Sequence, residues 1–524
     1  MKNASIFLTA GAVLALIANP MLAAGAAMDQ PTFVDNVAPI LHANCVSCHR
    51  PGQIAPMSLL SYDEVRPWAK SIGKAVHQRD MPPWDADPGF GPFSNDSSLA
   101  DHEIETITRW VDAGAPRGEG DEPAAPEFDD SGGWTLGEPD WIIEFDEIEI
   151  SADGPDQFRQ FPIDTGLEGE GWIRAIEVLP GDSKALHHFI LWQANESGTN
   201  QESWLGGWAA GALPAVFPDE TARLLKAGRK VIGDFHYHPY GEATTDKTRV
   251  GIYYAKPEEV AKEFVNLWIL NADFMIPAGD PNYAARASYV FPQDIEIRSL
   301  TPHMHFRGKD MKYTVTYPDG REEELLSVSR YDFNWQTAYE FVDPVDLPAG
   351  SRIDVEAHWD NSADNPDNPD STRDVGWGIQ STDEMLIGFV DYVVKEGVSP
   401  KPVSLVLGKL AELAEAYPGQ AWRVDVQRQA GKDPEPTAVH LPKGGGQGGW
   451  YVQMGSLVLP APIKEIVWDG NKVTAVAMIP GQEPMQIAGE VDPETGAISL
   501  SMGGGQMEGT PAEEEAAKSV LPQS

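Results

Sequence analysis

Between residues 134 and 394 the apolar residues come in short alternating runs separated by Gly, Pro, Asn and Asp, and this pattern constrains the fold most. Alternation with a period of two predicts strands that bury one face. Many short strands without helices between them predict antiparallel β-sandwiches. About 260 residues exceed one ordinary sandwich, so we expect two, over 136–258 and 259–397. The clearest runs are 141–150, 230–236, 250–254, 311–317 and 352–359.

The segments on either side have different patterns. Apolar residues with helical spacing predict an all-α part over 28–118, followed by an acidic linker rich in Pro and Gly at 119–135. After Pro400, one amphipathic helix and several short strands predict a small, mainly-β domain over 398–508, either a barrel or a sandwich. The acidic tail at 509–524 is expected to be disordered.

The N-terminus and the charge suggest where the protein works. Residues 1–27 carry Lys2, an apolar run and small alanines, which is the pattern of a secretory signal. The apolar run is too short for a comfortable membrane span, and no other stretch approaches one. We therefore expect a periplasmic or secreted protein without a membrane span. The formal charge of −42 repels nucleic acid, which is excluded as a partner.

The chain's two cysteines lie in the sequence Cys45–Val46–Ser47–Cys48–His49, the attachment pattern of a c-type haem. A disulfide or half of a zinc site is the alternative, but neither requires the adjacent histidine. We expect one covalent haem c bound by Cys45 and Cys48, with His49 as one axial ligand. Met81, before two prolines, is the preferred second axial ligand over Met57 and His77. The helical part is then expected to be a class I-like cytochrome c.

Seven of the twelve histidines lie between residues 187 and 358, six of them in three tight groups. Imidazole is a common ligand of copper, zinc and iron. Residues i and i+2 of a strand share a face, so a His-X-His pair can bind one ion, whereas adjacent histidines need a bulge or a strand end. A single pair is more often a surface or packing feature, but three within about 120 residues predict a metal centre. The groups are His187–His188, His236–Tyr237–His238 and His303–Met304–His305.

The order of these motifs resembles the copper type II, ascorbate-dependent monooxygenases, which include peptidylglycine α-hydroxylating monooxygenase and dopamine β-monooxygenase. The residues that carry the resemblance span about 30–395. The stretch from His358 resembles the bacterial branch, which is often fused to a cytochrome c. The matching stretches are 185–189, 234–239, 302–308, 358–362 with 365–369, and 377–385.

The resemblance implies two jelly-roll-like copper domains and two coppers. His187, His188 and His236 would bind the electron-storing copper, and a second set would bind the copper that meets dioxygen. That second set is His303, His305 and Met385. A soft thioether beside imidazoles suits Cu(I). His238 and His358 match no ligand position and are expected to be secondary, packing or solvent-facing residues.

Two departures limit what the resemblance implies. Thr301 stands where the peptide-amidating enzymes have a substrate-binding arginine, and no cysteine remains for the disulfides of the animal enzymes. We therefore expect a monooxygenase that uses dioxygen to hydroxylate a C–H bond of an unknown organic substrate. Its electrons would come through the fused cytochrome from an external donor, either ascorbate or a redox protein. The alternative is an exported electron-transfer or copper-binding protein without oxygenase activity.

Overall fold

A computed structural model of the chain describes most residues from 30 onward, with 45% of the chain in strands and 12% in helices. The predicted signal at 1–27 and most of the predicted tail lie outside the described residues. The described residues are 30–51, 55–127, 133–194, 201–209, 214–378, 380–400, 409–410, 413–414, 417–426, 435–444, 448–454, 457–478, 484–502 and 505–514.

The N-terminal part is built from short helices around a small apolar core of Phe33, Leu41, Ile107 and Trp110. The second helix begins at a capping box, in which the Glu64 carboxylate accepts a hydrogen bond from the Ser61 backbone N–H. The helices are α1 (Ala38–Asn44), α2 (Tyr62–Val65), α3 (Ala69–Gln78) and α4 (Asp101–Asp112), with a π-helical turn at Phe33–Val37 and a 3-10 turn at Arg66–Trp68.

The expected all-α, class I-like cytochrome c domain is wrong. Within the described residues 30–127, the longest α-helix has 12 residues and the others have 10 or fewer. Between α3 and α4 the chain forms no helix, and its apolar side chains pack against the core of a β-sandwich rather than against the helices, with Phe93 buried and Trp84 and Phe90 half-buried. This segment, residues 82–97, is called the arm below.

The first β-sandwich consists of two sheets, mainly of antiparallel strands, that share an apolar core. One sheet has the order β1-β11-β4-β8-β12 with β7 beside β4, the other has the order β3-β9-β5-β6, and β2 pairs with β10. Phe189 and Phe235 of the second sheet face Ile176 and Ile252 of the first. The strands are β1 (Trp141–Glu144), β2 (Ile148–Ile150), β3 (Gln157–Asp164), β4 (Gly171–Leu179), β5 (Leu186–Ala194), β6 (Gln201–Ala209), β7 (Ala215–Val216), β8 (Thr221–Leu225), β9 (Lys230–Tyr237), β10 (Thr244–Asp246), β11 (Arg249–Ala255) and β12 (Lys262–Glu263).

The second β-sandwich follows directly and has two four-stranded sheets. Their orders are β13-β22-β16-β19 and β15-β20-β17-β18, and β14 pairs with β21. The core between the sheets contains Tyr313, Val355, Trp359 and Leu300. The strands are β13 (Val265–Asn271), β14 (Met275–Ile276), β15 (Tyr283–Val290), β16 (Ile295–His303), β17 (Gly308–Thr316), β18 (Glu322–Val328), β19 (Tyr339–Leu347), β20 (Arg352–Trp359), β21 (Val375–Gly376) and β22 (Leu386–Val394).

The two sandwiches are in contact. Trp192 packs on Trp268 with ring centroids 5.1 Å apart. The buried Arg223 guanidinium donates a 2.9 Å hydrogen bond to Asp391 and also lies over the Phe217 ring. Separating the partners of a buried ion pair is costly, because each charge would be left without compensation. These contacts therefore fix the orientation of the first sandwich relative to the second.

The C-terminal part closes into an eight-stranded barrel around Trp422, Ile463 and Leu500. Its last strand continues to Pro511, inside the segment expected to be a disordered tail. Among the described residues, no helix is long and apolar enough to cross a membrane. The barrel strands are β23 (Ala421–Val426), β24 (Glu435–His440), β25 (Gly448–Met454), β26 (Leu457–Asp469), β27 (Lys472–Ala477), β28 (Met485–Val491), β29 (Ile498–Met502) and β30 (Gly505–Pro511).

Candidate metal centre

The fold brings three of the predicted histidines together at one end of the first sandwich. His187 and His188 lie at the start of β5, and His236 lies near the end of the neighbouring strand β9. In the antiparallel register His188 is paired with His236, and the register shifts between Leu186 and His188. This irregularity is the bulge that two adjacent histidines need in order to reach one ion.

The ring nitrogens of these three histidines converge. The Nδ1 atoms of His187 and His188 are 3.2 Å apart, and those of His236 and His188 are 3.4 Å apart. Imidazole nitrogens bind a metal at about 2.0 Å, so tetrahedral or trigonal ligation places them about 3.3–3.5 Å from one another. These two separations fit ligands of one transition-metal ion, and one ring nitrogen from each of the three histidines lies within 4.8 Å of the other two. We call these residues the three-histidine set.

Burial keeps this set ready to bind a metal. Desolvation lowers the pKa of His187 to about 4 and the pKa of His188 well below its ordinary value. Both rings are therefore neutral at neutral pH, which is the state that coordinates a metal.

Asp156 orients the set from behind. Its carboxylate accepts hydrogen bonds from His236 Nε2 at 2.7 Å, from His238 Nδ1 at 2.8 Å and from Ser381 Oγ at 3.0 Å. Burial alone would raise the pKa of Asp156, but the hydrogen bonds from the two histidines outweigh it and hold the pKa well below the usual range. Because Nε2 of His236 is occupied, its Nδ1 faces the other two rings. Phe158 stacks on the His236 ring at 4.4 Å and fixes its plane.

The second predicted set lies in the second sandwich. His303 ends β16 and His305 follows two residues later, with ring centroids 5.4 Å apart. His303 Nδ1 is 2.9 Å from Gln336 Oε1, and His305 Nδ1 is 3.3 Å from the carbonyl oxygen of Asp383. Nε2 of each ring is thus the nitrogen left for a metal. Burial lowers the pKa of His303 to about 4 and that of His305 to about 3.

Met385 is half-buried just before β22 and directly follows Glu384, whose carboxylate accepts a hydrogen bond from the backbone N–H of His305. The chain therefore brings Met385 to the same end of the second sandwich as His303 and His305. His303, His305 and Met385 are called the histidine–methionine set.

Glu384 fixes the geometry of the histidine–methionine set. It is fully buried, and its carboxylate accepts hydrogen bonds from the backbone N–H groups of His305 and Arg307 and from Trp359 Nε1. Burial raises the pKa of Glu384 to about 7, against the lowering effect of the two backbone donors. Because Glu384 directly precedes Met385, its carboxylate links the turn after β16, which holds His305, to the start of β22.

His238 and His358 belong to neither set. His238 is exposed, donates to Asp156 and is not among the three converging histidines. His358 of β20 lies with its Nδ1 2.6 Å from Oδ1 of Asp310, its partner on the neighbouring strand β17. The first is therefore a partner of Asp156, and the second is a packing residue of the sandwich.

Asp156, Phe158, Gln336 and Glu384 were missed by sequence reasoning. Asp156 is 80 residues from His236, and Gln336 is 33 residues from His303. Spacing patterns detect ligands on one strand, but they carry no signal for a partner that another strand supplies. Glu384 alone had a local signal, because it directly precedes Met385.

The prediction of a covalent haem c is wrong. No all-α cytochrome domain is present among the described residues. Cys45 and Cys48 are free, and Cys45 packs against the helical core, where desolvation raises the pKa of its thiol to about 12. His49 Nδ1 lies 3.3 Å from the Met57 carbonyl oxygen, within hydrogen-bond distance, and Met81 lies half-buried directly before the arm. Of the expected cofactors, one haem c and two coppers, the haem c is therefore withdrawn.

Comparisons with known proteins identify no family. No protein-family model and no curated protein matches the chain. Among solved structures, the CBM22-1-CBM22-2 tandem domain of Paenibacillus barcinonensis Xyn10C is 9% identical over 45% of this chain and 83% of that chain, with a TM-score of 0.14. The infectious bursal disease virus Gx strain structure is 8% identical over 57% of this chain and 86% of that chain, with a TM-score of 0.15. Such scores are too low to indicate a shared fold.

Proposed function

We propose that the chain is a copper-dependent monooxygenase that uses dioxygen to hydroxylate a C–H bond of an organic substrate. The observation that carries this proposal is the convergence of three Nδ1 atoms at His187, His188 and His236. An external one-electron donor, either ascorbate or a redox protein, supplies the electrons. The segment that would direct export lies outside the described residues, and a periplasmic or secreted location remains part of the proposal.

The two sets differ in the way that this chemistry requires. Three imidazoles accept both copper oxidation states, whereas two imidazoles with a thioether favour Cu(I). When bound, copper supplies one-electron redox chemistry with dioxygen. The protein's own contribution is orientation, through Asp156 on one set and Glu384 on the other, together with the exclusion of water by burial.

Contacts between the two sandwiches support a working relation between the sets. The Ser381 hydroxyl of the second sandwich donates a hydrogen bond to the Asp156 carboxylate, which also accepts one from His236. The Phe333 ring touches a histidine of each set. Reaction of one dioxygen with one substrate needs two electrons, and two neighbouring one-electron centres can deliver them.

The second candidate is an electron-transfer or copper-binding protein without oxygenase activity. The burial of His303 and His305, which are 9% and 5% exposed, favours it, because a substrate needs access to the histidine–methionine set. Oxygen consumption that is coupled to product formation distinguishes the two candidates.

Copper loading followed by oxygen uptake tests the proposal. The apoprotein should bind two Cu(I), and His236→Ala and Met385→Ala should each weaken one site. Met385→Ala should also remove sulfur scattering from the X-ray absorption spectrum. With ascorbate and a panel of organic substrates, the wild type should consume oxygen in proportion to product. His358→Ala, which alters a histidine outside both sets, is the matched control. Binding of a single copper, or of zinc in preference, would contradict the proposal.

A further inference from the structure

The loop between β18 and β19, residues 329–338, contacts both histidine sets, and we call it the bridging loop. The Tyr331 hydroxyl accepts a hydrogen bond from the Met304 N–H at 3.0 Å and donates one to the Met304 carbonyl oxygen at 2.7 Å. Gln336 Oε1 lies 2.9 Å from His303 Nδ1. The backbone between the two histidines and the ring of one of them are thus both held by this loop.

Phe333 extends the loop's contacts to the first sandwich. Its ring stacks on His187 with centroids 5.3 Å apart and planes 18° apart. The same ring meets His305 at 5.6 Å with an interplanar angle of 84°. Phe333 is 8% exposed, so neither contact can be lost without opening a void or moving a ring.

The arm holds both ends of the bridging loop. The Asp87 carboxylate accepts hydrogen bonds from Ser327 and Ser329 at the start, and Asn95 Nδ2 donates to the Ala338 carbonyl oxygen at the end. With its ends fixed, the loop cannot absorb a displacement of His303 or His305 by relaxing outward.

We propose that the bridging loop couples the two sets energetically, with Phe333 as the positioning residue that links His305 to His187. A metal in the histidine–methionine set fixes the rings of His303 and His305, and therefore the seat of Phe333. The stacked face of Phe333 then restricts His187 to the orientation in which its Nδ1 meets its neighbours. The inference rests on the proposed function in one respect, namely that both sets bind copper.

A thermodynamic cycle with Cu(I) as the probe tests this coupling. Affinity at the three-histidine set is measured by competition with a chromophoric Cu(I) chelator in the wild type, His305→Ala, Phe333→Leu and the double variant. Allosteric couplings commonly change affinity about 5- to 150-fold. His305→Ala should therefore weaken Cu(I) binding at the three-histidine set by about fivefold or more. In the Phe333→Leu background the same substitution should have no effect, because the linking ring is absent.

Two controls make the result specific. Phe341→Leu makes the same chemical change at a ring that packs on Phe93 rather than on a histidine, and it should retain the full coupling. Phe333→Met, which fills space with a flexible side chain, replaces Phe333→Leu if that variant fails to fold. Equal coupling with and without the Phe333 ring, or no effect of His305→Ala in the wild type, overturns the inference. Cu(I) coupling without oxygen consumption would refute the proposed function and leave the coupling intact.

Discussion

Replacing Asp156 with Asn should weaken copper binding at the three-histidine set while leaving the fold intact. The charged carboxylate accepts hydrogen bonds from His236, His238 and Ser381. Hydrogen bonds to charged groups contribute about 1.5–3 kcal/mol, roughly twice the neutral kind, so a neutral amide oxygen loses about 1–1.5 kcal/mol at His236. Since about 1.4 kcal/mol is tenfold in affinity, the expected loss is roughly tenfold. Asp156→Ala, which removes the acceptor, should approach the upper end of the 10- to 100-fold range of such orienting residues.

Competition with a Cu(I) chelator measures both affinities, and His238→Ala is the matched control. His238 shares the same carboxylate, but its ring is exposed and lies outside the converging set. Its removal should change the affinity by less than about threefold, because His236 keeps its partner. If Asp156→Asn binds copper as tightly as the wild type, His236 needs no orientation from Asp156. If His238→Ala is as harmful as Asp156→Asn, His238 has a larger role than its position suggests.

Three further predictions concern stability. Arg223→Ala leaves Asp391 with only the neutral donors Asn266 and Ser299. It should lower the free energy of unfolding, measured by urea titration, by about 3 kcal/mol. A loss below about 1 kcal/mol would show that the ion pair is dispensable. Glu384→Gln leaves at least one of three buried N–H donors without its acceptor. The same assay should show a loss of about 1–3 kcal/mol in the free energy of unfolding. An unchanged free energy would show that the amide re-forms all three hydrogen bonds. Burial raises the pKa of Asp182, but hydrogen bonds from Thr244, Lys184 and Ala185 outweigh it and lower the pKa below the ordinary 3.8. The folded state therefore binds fewer protons than the unfolded state, and the free energy of unfolding falls as the pH drops below about 4. In acid, Asp182→Asn should therefore show a flatter dependence of unfolding free energy on pH than the wild type, and equal slopes would contradict this assignment.

Sequence patterns were informative where both partners share a strand or a turn. The alternating run at 230–236 corresponds to β9, Lys230–Tyr237, and the run at 352–359 corresponds to β20, Arg352–Trp359. The run at 141–150 is divided into β1 and β2, because Asp146 and Glu147 interrupt the alternation. The His-X-His spacing likewise predicted that His303 and His305 lie together, since both depend on local backbone geometry.

The helical part shows where local patterns fail. Helical spacing predicted an all-α part over 28–118, which does contain α3 and α4, and the attachment motif then suggested a haem enclosed by helices. The pattern could not show what Trp84 and Phe93 pack against, since apolar residues in a Pro- and Gly-rich segment have no periodicity. Both pack against the core of the second sandwich through contacts far apart in sequence, so the arm belongs to that sandwich rather than to the helices.

Each histidine set depends on the other sandwich for its orientation. Ser381 of the second sandwich donates to Asp156, which orients His236 of the first, and Phe333 of the second stacks on His187 of the first. Arg223 of the first sandwich in turn fixes Asp391, which also accepts from Ser299 on the strand that ends at His303. Because these contacts cross the junction in both directions, loosening the junction should disturb both sets together. Arg223→Ala, which changes a residue outside both histidine sets, should then weaken Cu(I) binding at both sets. Unchanged binding at both sets would show that each sandwich holds its own site.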